Sequence, residues 1–426
     1  MNKILQTVTM IKKLLLPVLL FCAFSASAQL NNSWIDYSKT YYKFKIGSDN
    51  LCRIPQSVLN ASGLGTTNAD HFQLWKNGQQ IRLFTPVSGT ALGLSDFIEF
   101  SGEMNDGKPD KELYLQPQFQ LADRYSLETD TAVYFLTVNP AGGNLRYITS
   151  ANPLPGAAVP DAFFMRTIDV FYRTQLNRGF GKDLGEYVYS SAYDNGEGYT
   201  TGDIVATTAA PLTYTENISG LNVYTAGPPN SLSVRAKTFA NTDNSSRNTT
   251  LKIFSTVLGL PIQSQNTSET VFNVSNQPIS LLQNTSTAPI SITNTPITPG
   301  ITDRIVVASI SITYPAVFNF NNQKSFSFDL AASATGNYLL IDNFNFGTAA
   351  PVLYDISNGR RYIGDIVSVP GKVGFMLPPS AIAQRKLILS NTEPANIISI
   401  SALTTKTFIN YNTAATRGDY IIISNP

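Results

Sequence analysis

The sequence offers few side chains that could act as a nucleophile or a general base. After residue 28 it contains one cysteine, Cys52, and one histidine, His71. A cysteine nucleophile needs a base within hydrogen-bond reach, so a Cys–His dyad would have to use these two residues. Both lie in or beside strand patterns, and buried cysteines commonly behave as small hydrophobic residues. We therefore interpret Cys52 as a half-buried strand residue that any activity of the protein can do without.

Oxygen ligands suited to calcium are concentrated in one segment. GEMNDGKPDKELY contains Asn105, Asp106, Asp110 and Glu112, and oxygen ligands at alternating positions around a glycine can bind Ca²⁺. Two lysines and a proline interrupt that spacing, and a tight Asn-Asp-Gly turn explains the same letters. YDNGEGYTTGD has the same ambiguity. Calcium is therefore the one candidate cofactor, because a single histidine and the lack of a cysteine pair exclude a zinc site.

Other possible catalytic patterns are weak. Asp183 and Glu186 could form a pair of carboxylates for hydrolysis, but their glycine-rich surroundings give no acid/base context. GFGKDLGEY has neither the spacing of a phosphate-binding loop nor a preceding strand. Residues 417–419 spell the integrin-binding tripeptide Arg-Gly-Asp, which we interpret as a turn before a strand. The sequence thus predicts no catalytic site of its own.

The composition favours strands. Charged residues make up 14% of the chain, against about 25% in typical soluble domains. Polarity comes instead from Ser, Thr, Asn and Gln, which favours strands and turns over helices with charged faces. The formal net charge of +1 gives no electrostatic case for nucleic-acid binding. With 426 residues, 43% of them hydrophobic, the chain is long enough for two or three domains with cores.

The N-terminus has the pattern of a secretory signal peptide. Two lysines precede the apolar residues 14–24, and Ala26-Ser27-Ala28 forms a cleavage site before Gln29. The mature chain would then contain one cysteine and no intramolecular disulfide. Export without disulfides fits the periplasm or the outer surface of a Gram-negative bacterium.

Strand and turn patterns divide the remaining chain into β units. We expect a β-rich domain over residues 29–155, with one hairpin around residues 47–50, a helix from Pro55 to Gly63 and a second hairpin at Asn77-Gly78. A β-sandwich follows over residues 156–347, with SLSVRAKTF, TLKIFSTVLG, RIVVASISITY, SFSFDLAA and NYLLIDNF as its best strands. Residues 348–415 form a small β region and a linker.

The closing segment is unusual. Tyr420–Ile423 is an unbroken apolar run, which suits a strand buried on both faces, as in a parallel sheet. It is either the last strand of a β-domain or the first strand of a further domain. Without the neighbours of such a domain, we expect residues 419–426 to be poorly packed.

Three segments, taken in order, resemble one family. DFIEFSGEMNDGKPDKELY, followed by DTAVYFLT, resembles the N-terminal region of the PorU-type sortases, which are relatives of the gingipain cysteine peptidases. PVLYDIS resembles a segment shortly before their peptidase domain. GDYIIISNP resembles the first strand of that caspase-like α/β domain. The resemblance implies that residues 416–426 open a peptidase domain absent from this sequence. It matches none of the family's catalytic residues to this chain.

The resemblance also implies a function. The complete protein would be a gingipain-family cysteine endopeptidase of the type IX secretion system, which removes C-terminal sorting signals from exported cargo. This chain would be its non-catalytic pro- or accessory region, and whether it inhibits the peptidase domain or shapes its cleft is left open. Its partners would be that domain, other secretion components and cargo, with no nucleic acid. The alternative is a self-contained secreted β-sandwich adhesin or carbohydrate-binding protein.

We predict that the mature protein begins at Gln29, because Ala28 ends the small-residue cleavage site. Mass spectrometry of the exported protein should detect this N-terminus. An intact N-terminus, or a lipid-modified one at Cys22, would contradict the prediction.

Overall fold

Alternating apolar residues form strands through most of the chain. The structure is a computed structural model, and it describes residues 32–154, 156, 159–183, 186–188, 190–411 and 413–416. Strands are the predominant regular structure among these residues, which confirms the predicted β-rich fold with several sheets. Their helical structure is limited to the helix α1 (Gln56–Ala61) and the short 3-10 helices Ala69–His71, Pro109–Leu113, Pro117–Phe119, Ile279–Leu282, Pro394–Asn396 and Ala414–Thr416.

Some predicted features lie outside the described residues. They are the signal peptide, with its cleavage between Ala28 and Gln29, the Arg-Gly-Asp tripeptide at 417–419 and the apolar run Tyr420–Ile423. These remain predictions.

The N-terminal strands form two sheets around one apolar core. The core contains residues from both sheets, among them Ile46, Ile54, Phe72 and Phe100. Their N-terminal strands are β1 (Tyr41–Ile46), β2 (Asn50–Pro55), β3 (Phe72–Lys76), β4 (Gln79–Ile81), β5 (Phe97–Gly102) and β6 (Ala132–Val138), while the next strand, β7 (Ile148–Thr149), belongs to a later sheet.

The predicted hairpin between β1 and β2 is wrong. Both strands exist, but β1 pairs with β6 and β2 pairs with β5. Ile46 and Cys52 both pack into the core that lies between the two sheets. The turn after Ile46 therefore carries the chain from one sheet to the other, and it does not fold β2 back onto β1.

Two locally encoded features are confirmed. Asn77 and Gly78 have φ angles of 49° and 75°, which is the double positive φ that a two-residue hairpin turn requires. They join β3 and β4, where Leu74 pairs with Ile81. The helix α1 begins directly after Pro55, as its sequence predicts.

The middle of the chain forms a β-sandwich. The strands from residue 164 to 316 are β8 (Phe164–Phe171), β9 (Gln175–Phe180), β10 (Lys182–Asp183), β11 (Glu186–Tyr187), β12 (Asn195–Thr200), β13 (Ile204–Ala206), β14 (Leu212–Ser219), β15 (Leu232–Ala240), β16 (Ser246–Ile253), β17 (Thr256–Val257), β18 (Ile262–Gln265), β19 (Ser268–Gln277), β20 (Thr287–Pro296) and β21 (Asp303–Ala316). One sheet of the sandwich has the order β13-β21-β15-β19 with β8 also on β21, and the other has β14-β20-β16-β17 with β18 also on β16. Strand β20 alternates half-buried and buried residues along its whole length, so one face of the strand packs into the core.

The following strands form two further sheets and then return to the N-terminal unit. The strands are β22 (Asn319–Gln323), β23 (Ser325–Ala331), β24 (Asn337–Phe344), β25 (Val352–Asp355), β26 (Arg360–Ile363), β27 (Lys372–Leu377), β28 (Gln384–Ser390), β29 (Ile398–Ser399) and β30 (Thr404–Lys406). The sheets have the orders β22-β24-β27 and β23-β28-β25-β26-β7, while β29 pairs with β2 and β30 with β1.

Backbone pairing crosses the predicted boundary at residue 347. Strands β23 and β24 exist as predicted, but their assignment to the sandwich sheets is wrong, because they pair with β28 and β27. One apolar core extends from Phe164 to Leu389 and includes the stacked rings of Phe320 and Phe326, 4.0 Å apart. The sandwich and the region after it therefore share a core. The division into domains at 155, 347 and 415 stays a prediction.

Among the described residues, no helix has the length and apolar character needed to cross a membrane.

A buried ion pair lies inside the sandwich. The Arg247 guanidinium donates two hydrogen bonds to Asp303, at 2.8 and 2.9 Å, and both side chains are fully buried. The Asn294 amide donates a third hydrogen bond to the same carboxylate, at 2.9 Å. The charges are thus paired and hydrogen-bonded, which is the condition under which a protein interior tolerates them.

We predict that Arg247→Met destabilises the sandwich by about 3–5 kcal/mol, because it leaves the Asp303 carboxylate buried without its cation. The matched control is Arg304→Met. Its ion pair with Asp203 is partly exposed, so its loss should cost at most about 1 kcal/mol. Urea denaturation of both variants measures the difference, and equal midpoints would contradict the prediction.

Candidate functional site

A buried carboxylate joins the N-terminal unit to the region after the sandwich. Glu99 in β5 is fully buried. Its carboxylate accepts a hydrogen bond from Arg53 Nε at 2.7 Å and another from the hydroxyl of Tyr354 in β25. Arg361 Nε lies 3.5 Å from the same carboxylate and donates to the Tyr354 hydroxyl at 3.0 Å. Two guanidinium groups and a phenol thus compensate one buried negative charge.

Aromatic rings enclose this Glu99 cluster. The ring of Tyr147 meets that of Tyr354 edge-on at 4.7 Å, and the Arg361 guanidinium lies over Phe84 at 4.0 Å. Burial and the negative charge of Glu99 raise the pKa of Tyr354 well above its ordinary value. The hydroxyl therefore stays protonated and remains a hydrogen-bond donor. The cluster is thus a fixed polar contact between the two parts of the chain.

The Glu99 cluster connects two of the segments that carry the family resemblance. Glu99 belongs to DFIEF and Tyr354 to PVLYDIS, 255 residues later in the chain. The sequence analysis named both segments but did not predict their contact. The available signal was a lone charged residue inside an otherwise apolar strand, which must find a partner when it is buried.

The last described segment also returns to the N-terminal unit. Strand β29 adds in parallel to β2, and β30 adds antiparallel to β1. Beyond β30, the Phe408 ring contacts Trp34, Tyr41 and Phe135, with centroid separations of 5.1–5.6 Å. Trp34 in turn lies 5.5 Å from Trp75. Residues from both ends of the described chain are therefore held in one aromatic cluster on the first sheet.

The calcium candidates contact different partners. Asn105 donates to the Thr129 carbonyl at 2.7 Å, and Asp106 pairs with Lys108 at 2.6 Å. No group of three or more His, Cys, Asp or Glu side chains that could hold a metal occurs in the part of the chain that the structure describes. Calcium binding stays a prediction.

The other two calcium candidates differ in exposure. Asp110 is buried and accepts hydrogen bonds from the Ser126 hydroxyl at 3.0 Å and the Leu127 amide at 2.7 Å. Burial raises the pKa of Asp110. Glu112 is exposed. Asp110 therefore serves to fix the loop around residues 126 and 127.

The two acidic segments singled out in the sequence pack against each other. Tyr114 and Tyr193 lie with ring centroids 5.2 Å apart, and the Tyr114 hydroxyl donates to the Glu197 carbonyl at 2.8 Å. The Tyr193 hydroxyl donates to the Glu128 carboxylate. This contact docks the loop between β5 and β6 onto the sandwich. The sequence analysis did not predict it.

Cys52 has the environment of a core residue. Its thiol is fully buried and donates to the Asn50 carbonyl at 3.5 Å. Burial raises its pKa to about 12, so the thiolate is scarce at neutral pH. A Cβ at Gly102 would lie 2.3 Å from the sulfur, so the thiol fills the space that this glycine leaves open. His71 is half-buried at the end of a 3-10 helix.

Asp183 pairs with Glu186 in the backbone register of the short β10–β11 ladder. Glu186 is exposed, so it lacks the enclosed environment of a catalytic acid.

A cleft of about 810 Å³ lies between the sandwich and the docked loop. Its polar lining includes Ser309, Ser311 and Arg235 of the sandwich and Lys111 and Gln120 of the loop. Apolar side chains line it as well, among them Leu121, Phe171 and Phe272.

The chain was compared with known proteins. No protein-family model and no curated protein matches it. Among solved structures, dimeric latent PorU from Porphyromonas gingivalis aligns with a TM-score of 0.51 at 10% sequence identity. The alignment covers 86% of this chain and 33% of the PorU chain. The fold is PorU-like.

Two other solved structures were matched with low TM-scores. They are infectious bursal disease virus Gx strain (TM-score 0.22, 8% identity, 90% of this chain and 67% of that one) and the glycoside hydrolase domain of Endo-D from Streptococcus pneumoniae R6 (0.15, 11%, 57% and 37%). These values give no basis for a shared fold. The chain spans about a third of the PorU chain, so the PorU-like fold concerns only part of that protein.

We predict that Tyr354→Phe lowers the stability of the chain by about 1–3 kcal/mol, because the buried Glu99 carboxylate loses a hydrogen-bond donor. Tyr338→Phe is the matched control. Tyr338 is also buried, and its hydroxyl makes no hydrogen bond with the described residues. Thermal and urea unfolding measure both variants. A Tyr354→Phe protein as stable as the control would contradict the prediction.

Proposed function

We propose that this chain is the non-catalytic N-terminal region of a secreted gingipain-like cysteine peptidase, of the kind that acts as a type IX secretion sortase. The observation that carries the proposal is the similarity of fold to latent PorU over 86% of this chain. The ordered resemblance of three sequence segments to PorU-type sortases supports the same assignment.

The chemistry of the chain supports a role without catalysis. The thiol of Cys52 is buried and has a pKa raised to about 12, which is the opposite of an activated nucleophile. The proposed catalytic cysteine and histidine would belong to a peptidase domain that follows residue 416. That domain is the first proposed partner of this chain.

The return of the chain supports an accessory role. Strands β29 and β30 and the ring of Phe408 fix the segment after residue 397 on the N-terminal unit. A domain that followed would begin beside this surface, and its first strand would start from a fixed point. We propose that the N-terminal unit is a support for the peptidase domain. Export to the periplasm or outer surface, and contact with cargo and other secretion components, are parts of the same proposal.

A second candidate is a carbohydrate-binding β-sandwich. The cleft of about 810 Å³ favours it, because its hydroxyl, amide and charged side chains can donate and accept hydrogen bonds with a sugar chain while its apolar side chains contact the sugar rings.

We predict that deleting the gene in its native host leaves exported cargo with its C-terminal sorting signals, because the sortase is lost. Mass spectrometry of cargo from the outer membrane and the medium measures this. A complementing gene with Cys52→Ala should restore processing, because that thiol has no catalytic role in the proposal. Normal cargo masses in the deletion strain would overturn the sortase assignment. Loss of polysaccharide binding with normal cargo masses would favour the second candidate.

A further inference from the structure

We propose that the outer face of the first sheet binds a lipid surface with anionic headgroups, through three lysines that lie beside the aromatic cluster. The inference does not depend on the sortase assignment, because it uses only the charges and the exposed side chains of this face.

The three lysines lie on the same face of the sheet, whose strand order is β30-β1-β6-β3-β4. Phe44, between Lys43 and Lys45 in β1, packs into the core, so both lysines point to the opposite, outer face. Lys406 in β30 pairs with Tyr41, so it lies on that outer face as well. Lys45 and Lys406 are exposed, and Lys43 is half-buried.

The sheet itself has no negative charge to compensate these lysines. Its five strands contain no Asp or Glu. Residues 32–40, which precede β1, contain one carboxylate, Asp36, which pairs with Lys39 at 3.5 Å. Residues 407–411, which follow β30, contain none. Within the part of the chain that the structure describes, none of the three lysines forms an ion pair.

The carboxylates at the ends of β1 and β6 already have cations. Asp49 follows β1 and pairs with Arg124 at 3.0 Å, while Asp130 precedes β6 and pairs with Arg173 at 2.7 Å. The outer face of the first sheet therefore presents net positive charge, and its complement is an anionic partner.

The side chains beside the lysines suit the boundary between water and lipid. Lys43 pairs with Phe135, whose ring contacts Phe408 in the aromatic cluster. Ile409 and Tyr411 follow Phe408 and are 54% and 64% exposed. Aromatic rings with lysines are typical of protein surfaces that contact lipid headgroups. An acidic polysaccharide would use only the charges, whereas a lipid surface would also remove Ile409 from water.

The test measures binding of the mature chain, from Gln29 onward, to vesicles of phosphatidylglycerol and of phosphatidylcholine. The signal peptide is left off because its apolar residues would bind lipid themselves. Both tryptophans of the sequence, Trp34 and Trp75, lie in the aromatic cluster, so their fluorescence reports on this face. We expect co-sedimentation with phosphatidylglycerol and a change in tryptophan emission, both weakening as salt is added. Phosphatidylcholine should bind at least tenfold more weakly.

Variants of the protein test the lysines. Lys43→Gln, Lys45→Gln and Lys406→Gln together should weaken binding to phosphatidylglycerol at least tenfold, because each lysine near an anionic surface strengthens binding roughly fivefold. Unchanged thermal unfolding shows that the variants are folded. The matched control removes the same charge outside the sheet, by glutamine substitutions of Lys111, Lys252 and Lys324.

A second variant avoids the half-buried position. Lys45→Gln with Lys406→Gln changes only exposed side chains, and it should also bind phosphatidylglycerol more weakly than the control. Equal binding to both kinds of vesicle, or an equal loss in the control, would overturn the proposal. Lysine-dependent binding of soluble polygalacturonate, as tight as that of the vesicles, would assign the face to an acidic polysaccharide and would overturn it too.

Discussion

The buried charge of Glu99 is the constraint on which the arrangement of the units depends. An unpaired carboxylate in the interior would cost several kcal/mol, and Arg53, Arg361 and Tyr354 together compensate the charge of Glu99 in the buried strand β5. Arg53 comes from the same sheet, but the other two come from strands after the sandwich. The N-terminal unit therefore reaches its final state only in contact with the region after residue 351. The contacts of Glu99 with Arg361 and Tyr354 restrict how the two units can pack against each other more than they add to the free energy of unfolding.

The same dependence holds for the backbone. The first two sheets are completed by β29 and β30, which follow the N-terminal strands by more than 260 residues. The sandwich and the following sheets share one core, so they also form together. Contacts over such separations are slow to form, because the entropy of closing long loops opposes them. During synthesis, the N-terminal sheets lack two edge strands until residues 398–406 have been made.

The parts of the fold that the sequence predicted are those encoded locally. The Asn77-Gly78 turn and the start of α1 depend on a few adjacent residues, and both are confirmed. Cys52 lies in a strand, as its pattern indicated, but it is fully buried and not half-buried, because it packs between two sheets. The β1–β2 hairpin was wrong because β1 has partners from residues 132–138 and 404–406, which no local pattern reveals. The contact of Glu99 with Tyr354 was missed for the same reason. In each case the deciding partner is distant in sequence.

The return of the chain to its first sheet has a consequence for proteolysis. Val159, in the link between the N-terminal unit and the sandwich, is 87% exposed and is therefore an accessible cleavage position. A single cut there would break the covalent connection but leave β29, β30, the aromatic cluster around Phe408 and the Glu99 contacts in place. The two pieces would stay associated and would migrate as one particle until a denaturant separated them. A molecule cut at this position would therefore have the same size as the uncut protein under native conditions. The two fragments would be detected only by measuring their masses after unfolding.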